Sequence, residues 1–190
     1  MSKPLVTVPL AELLPAPPIP CRAAGKWEEA EALLGISFPS DYKWYIERYG
    51  SGVVSGRVHV LNALYEPERK LMLDTLDRFR RIQQVCLEQQ VNLAISFGDD
   101  PALETPPLPY SFHPEPGGLF PWGIGQDGWH LFWHRVGDPE QWSVVATYQM
   151  IEEHYPYPDR SLITFLADLL RESGPPELHL APIFDAGFYC

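Results

Sequence analysis

Cysteine is scarce in this chain. Cys21, Cys86 and Cys190 are the three copies in 190 residues, and none falls in a CxxC pair. An odd, sparse set argues against a disulfide framework, so the expected state is reduced and cytoplasmic. Long apolar runs are lacking too: no stretch approaches the ~20 residues of a membrane helix. Near the N-terminus Lys3 is the sole early cation, and Pro4 and Pro9 interrupt the apolar residues, which is not the pattern of a signal peptide. Cys190 is last rather than fourth from the end, which is not a prenylation box. Basic residues are short in one half only. Residues 1–97 carry 11 Lys/Arg against 11 Asp/Glu, whereas residues 98–190 carry 3 against 14, so all of the net charge of −11 lies in the second half. Such a field repels nucleic acid and steers a basic protein partner; its plainer reading is solubility.

Proline is in excess, with 21 copies gathered mainly at 15–20, 101–116 and 175–182. The expected organisation is a proline-rich segment over 1–25 and one domain over 26–190, with 45% hydrophobic and 21% charged residues marking it as globular. Lys26 to Leu34 reads as a short amphipathic helix stopped by Gly35. In FPSDYKWYIERYG, Pro39 and Asp41 suit a helix start, Gly50 suits a stop, and Tyr42, Tyr45, Ile46 and Tyr49 share one face. Arg57 to Leu61 alternates as a strand, and Glu68 to Gln90 is a long helix with Met72, Leu76, Phe79, Ile82 and Cys86 on its stripe. Leu93 to Phe97 reads as a strand. Asp99 to Gly118 holds six prolines and supports no regular element. It is either a partner-binding loop, with Tyr110 and Phe112 among its contacts, or an insertion that covers an edge.

FPWGIGQDGWHLFW contains a formal GxGxxG at Gly123, Gly125 and Gly128. A dinucleotide fingerprint must open a helix, whose N-terminus supplies donors to the pyrophosphate. Here Trp129, Leu131 and Trp133 alternate with His130, Phe132 and His134, which is a strand; Gly137-Asp138-Pro139-Glu140 then turns into Trp142, Val144, Ala146 and Tyr148, a second one. The glycines therefore read as bends before a hairpin. On a strand, four residues separate His130 from His134 by ~13 Å, too far for one metal. Glu152-Glu153-His154 lacks the zinc-protease order, and the glycines around Ser55 have the wrong spacing for a nucleophile elbow. No catalytic residue, metal ligand or cofactor is expected. Tyr155 to Pro158 reads as a turn, Ser161 as the cap of a final helix carrying Leu162, Leu166, Leu169 and Leu170, and Leu178 to Ile183 as a last edge strand.

Phe38-Pro39, Asp41-Tyr42, Tyr49-Gly50, Pro121-Trp122-Gly123, Gly128 and Phe132-Trp133, in that order, resemble the SUKH superfamily, over roughly Lys26 to Arg171. That resemblance implies an α+β fold, with a central, largely antiparallel sheet and helices packed around it. It also implies a non-enzymatic protein-binding role. Many bacterial members are immunity proteins that neutralise polymorphic toxins, often nucleases or deaminases. The expected partner is then a basic toxin domain, met by Asp99, Asp100, Glu104, Asp127, Asp138 and Glu140, with Trp129 as an aromatic anchor. The alternative is an intracellular regulator or scaffold that binds a housekeeping protein.

Overall fold

The computed structural model describes residues 8–54, 56–89, 109–148, 153–171 and 188–189. Its helices are α1 (Val8–Leu13), α2 (Trp27–Leu34), α3 (Ser40–Tyr49), α4 (Glu66–Gln89) and α5 (Leu162–Leu170). The strands are β1 (Gly52–Val54), β2 (Val58–Val60), β3 (Leu119–Gly125), β4 (His130–His134), β5 (Ser143–Tyr148), β6 (Glu153–Tyr157) and β7 (Phe188–Tyr189). They form a single antiparallel sheet in the order β6-β5-β4-β3-β2-β1-β7. The fold is α+β, as the SUKH resemblance implies.

Alternation along β4 sorts the helices onto two faces. Leu131 and Trp133 point to the side of α3 and α5, where the Tyr42 and Trp133 rings lie 4.9 Å apart and Trp122 meets Phe165 edge-on at 5.9 Å. His130 and Phe132 point to α4, where Phe79 contacts both rings at 4.9 and 5.0 Å. Burying aromatic residues on both sides of one strand makes β4 the centre of the core, and each such side chain contributes about 2–3 kcal/mol of transfer free energy. Met72, Leu76 and Phe79 of α4 are buried, while Ile82 and Cys86 are half-exposed, so the stripe reaches the sheet with its first half.

Several expectations are corrected. Phe120 to Gly125 is not a bend but part of β3, and its glycines sit inside the sheet; the turn is the single 3-10 turn Gln126–Gly128. A register shift between Pro121 and Gly123 lets β3 carry Pro121 without breaking the ladder. Tyr155 to Tyr157 is strand rather than turn, because β6 lies at the sheet edge, where Pro156 is tolerated. Gly52–Val54, which shows no period of its own, is a strand by virtue of pairing with β2. The proline-rich start contains α1; its Leu10 and the following Leu14 are fully buried, with the Leu14 carbonyl accepting from the Tyr49 hydroxyl at 2.8 Å. Cys21 is disulfide-bonded, not the free thiol that a sparse count suggests, whereas Cys86 is free. The expected strands at 93–97 and 178–183 lie outside the described residues.

Gly50 is where the chain leaves α3, with φ +75°, and a Cβ there would overlap the Cys21 carbonyl. Cys21 holds that spot through its N–H to Tyr49 O (3.1 Å) and its carbonyl from Ser51 N–H (2.7 Å). Gly56, at φ +66°, has nothing within 4 Å of an added Cβ. Replacing Gly50 by Ala should therefore destabilise by about 3 kcal/mol or more, against about 1 kcal/mol for Gly56→Ala. Denaturant midpoints of the two variants check this; equal losses would show that φ alone matters.

Candidate functional site

Of the acidic residues expected to meet a partner, Asp127, Asp138 and Glu140 lie at two turns. Asp138 and Glu140 occupy the turn between β4 and β5, where Pro139–Gln141 forms one 3-10 turn. Asp138 begins it because its side chain accepts from the Glu140 N–H at 3.1 Å, while the Gln141 side chain reaches back to the Asp138 N–H. Asp138 is exposed. Glu140 is also at the surface, but its carboxylate is engaged within the fold. Oε1 accepts from the Ser40 N–H at 2.8 Å and Oε2 from the Ser40 hydroxyl at 2.6 Å, so it caps α3 from one hundred residues away.

The neighbouring Asp41 does the same for α5. Its side chain is 6% exposed, and Oδ2 accepts from the Ile163 N–H at 3.2 Å. Burial raises its pKa; hydrogen bonds from Ser161 and Ile163 oppose that, and the nearby Glu140 charge adds to it. Three carboxylates in and beside one turn thus hold the ends of a turn and two helices, through contacts that sequence spacing does not show.

Trp129 is not a surface anchor. It is 6% exposed and packs on Tyr148 at 5.0 Å and Tyr155 at 5.7 Å, because residues 129, 131 and 133 all point to the inner side of the hairpin. Asp127 lies in the turn that precedes it. Asp99, Asp100 and Glu104 lie outside the described residues. Of the aromatic residues expected at the loop's surface, Phe112 is buried against Phe79 at 5.7 Å, and Tyr110 is wedged between His134 and His154 at 5.0 and 5.7 Å.

Two features escape sequence reading. The first is a buried polar junction. The Tyr42 hydroxyl donates to the Leu61 carbonyl at 2.6 Å and accepts from the Ala63 N–H at 2.9 Å. Beside it, fully buried Asn62 donates from its amide to Arg22 O and Ser51 Oγ and from its backbone N–H to Glu68 Oε2 at 2.7 Å. Burial raises the Glu68 pKa, but His59, the Asn62 N–H and Ser51 outweigh it and hold the carboxyl below its usual range. The second is a row of residues running across the sheet by register: His154, Thr147, His130, Ile124, His59 and Val53. His130 and His154 are held below the ordinary imidazole value by burial. Both histidines therefore favour the neutral state. Neither feature brings a nucleophile, a base and an orienting group around an open cavity.

Two substitutions probe the caps. Glu140→Ala should cost about 1 kcal/mol of stability by leaving the Ser40 groups without their carboxylate, which a residue used for partner contact alone would not show. The raised pKa of Asp41 means that the folded state binds its proton more readily than the unfolded chain does. Its contribution is thus fully present below the usual carboxylate pKa and lost as pH rises through the folded value. Asp41→Asn keeps an acceptor for Ile163 and removes the desolvated charge. It should match or exceed the wild type at pH 7 and lose that advantage at pH 4. Denaturation at both values checks this, and a loss of about 1 kcal/mol at pH 7 would contradict it.

The family model SUKH_6, described as SMI1-KNR4 cell-wall, matches residues 24–166. No curated protein and no solved structure matches the chain. The matched span runs from just before α2 into α5 and takes in β1–β6, with the capped turn and the Tyr42 junction inside it. The chain belongs to the SUKH (SMI1-KNR4) family.

Proposed function

We propose that this chain is a non-enzymatic protein-binding module that neutralises a polymorphic toxin such as a nuclease. The observation that carries the reading is a charge imbalance in a member of this family: 3 Lys/Arg against 14 Asp/Glu in residues 98–190, beside a balanced first half. A toxin that grips nucleic acid presents a basic face, and an acidic surface competes for that face by electrostatic complementarity. The contacts of this reading are Asp99, Asp100, Glu104, Asp127 and Asp138. Glu140 and Trp129 are left out of it, since one is engaged in capping α3 and the other is in the core.

The description of the matched family, with its reference to the cell wall, favours a second reading: an intracellular regulator or scaffold bound to a housekeeping protein. Co-expression with toxic products of adjacent genes separates the two. Rescue of growth, with co-purification of the toxin, is expected for neutralisation. No rescue, with capture of a housekeeping protein from the host lysate, supports the regulator. In the first case Asp99→Lys with Asp100→Lys should slow association about tenfold at low salt and flatten its salt dependence, as stopped-flow mixing would show. Unchanged rates at low salt would exclude that surface.

A further inference from the structure

A cleft of about 410 Å³ opens between the β1–β2 hairpin and the end of β3. Val53 and Ile124 give it an apolar floor; with His59 between them they form one cross-strand row. The rim is closed by hydrogen bonds. The Gln126 N–H donates to the Arg57 carbonyl at 3.0 Å, and the Gln126 side-chain amide donates to the Gly56 carbonyl, which ties the hairpin turn to β3.

Two cationic or potentially cationic groups line this cleft. Arg57 is half-buried at the rim, and among the described residues its guanidinium has no acidic partner, in a chain whose net charge is −11. His59 is held through Nε2, 3.3 Å from Glu68 Oε1, which leaves Nδ1 as the ring's second hydrogen-bonding atom. Glu68, from α4, is the carboxylate facing the imidazole; β1 and β3 contribute only uncharged residues to the cleft. Glu68 is itself fixed by the Asn62 N–H, so the ring's orientation is set from the buried polar junction.

We propose that this cleft binds the C-terminal end of a partner polypeptide whose last residue is aliphatic. The terminal carboxylate is held between the Arg57 guanidinium and His59 Nδ1–H, and the aliphatic side chain rests on Val53 and Ile124. An Arg fork matches a carboxylate in shape and charge, and His59, engaged with Glu68 through Nε2, offers Nδ1–H as a second donor. A cleft open to solvent leaves a path for the rest of the chain, which a terminal residue needs and a free acid does not. Asp127, assigned to toxin contact, follows Gln126 in the turn that borders the cleft, and Asp138 lies in the β4–β5 turn; the titration that tests the cleft involves no toxin, so either assignment can fail alone.

The test titrates the full chain, labelled for amide NMR, with acetyl-Gly-Gly-Leu as the free acid, with the same peptide as its C-terminal amide, and with isovalerate. The acid should shift the amides of Val53, Arg57, His59 and Ile124 and bind about tenfold more tightly than the amide. Arg57→Gln, whose spectrum also reports its folding, should remove that preference. Equal binding of acid and amide, or shifts confined to other residues, overturns the proposal. Isovalerate binding as tightly as the peptide acid overturns the choice of a polypeptide end, because the ligand would then be a free carboxylic acid.

Discussion

The first turn of α3 ties together segments that are far apart in the chain, and the rest of the structure depends on how its polar groups are satisfied. A helix start leaves N–H groups that must find acceptors, and here the acceptor is Glu140, from the turn between β4 and β5. One residue on, Asp41 gives its own carboxylate to the start of α5, and Tyr42 sends its hydroxyl to the backbone after β2. Three successive side chains thus bind three distant segments. For Asp41 and Tyr42, whose groups are buried, leaving either bond unmade costs more than the bond contributes when made.

That arrangement explains why the FPSDY stretch behaves as structure rather than as a site. Phe38 packs at a tilt against Tyr42 at 4.9 Å and Trp133 at 5.8 Å, and Pro39 precedes the helix with its missing N–H where none is needed. Asp41, which reads as a residue suited to the helix dipole, has its charge committed to another helix altogether. The same holds for the acids of the β4–β5 turn. An acidic patch on a sequence counts charges; it does not say which of them are already bound. Of the two acids there, Glu140 is tied to Ser40, and exposed Asp138 still presents a carboxylate edge to solvent.

The sheet gives the molecule two unlike faces. The side of α3 and α5 is packed with indole and phenol rings. The side of α4 carries histidines at every second strand of one row, with Phe79, Glu68 and Tyr110 laid over them. His130, His134 and His154, kept neutral by burial, act there as polar aromatic residues, and the two that could have suggested a metal pair are instead separated along β4, one under Phe79 and the other under Tyr110.

From local pattern came the helix readings at 26–34, over FPSDYKWYIERYG and at 68–90, the β4–β5 hairpin and the rejection of a nucleotide fingerprint, since period and turn chemistry act over a few residues, while the α+β class followed from the family resemblance. The family, too, was legible in an ordered set of short motifs. What lay beyond reach were β1 and β6, α1 in its proline-rich setting, and the use of Glu140, Trp129 and Phe112 inside the fold. Those are decided by pairing and packing between residues that are far apart in the chain. Strand partners supply hydrogen bonds that propensity does not announce, and a carboxylate or a ring is a surface group only if no distant backbone or cavity has claimed it.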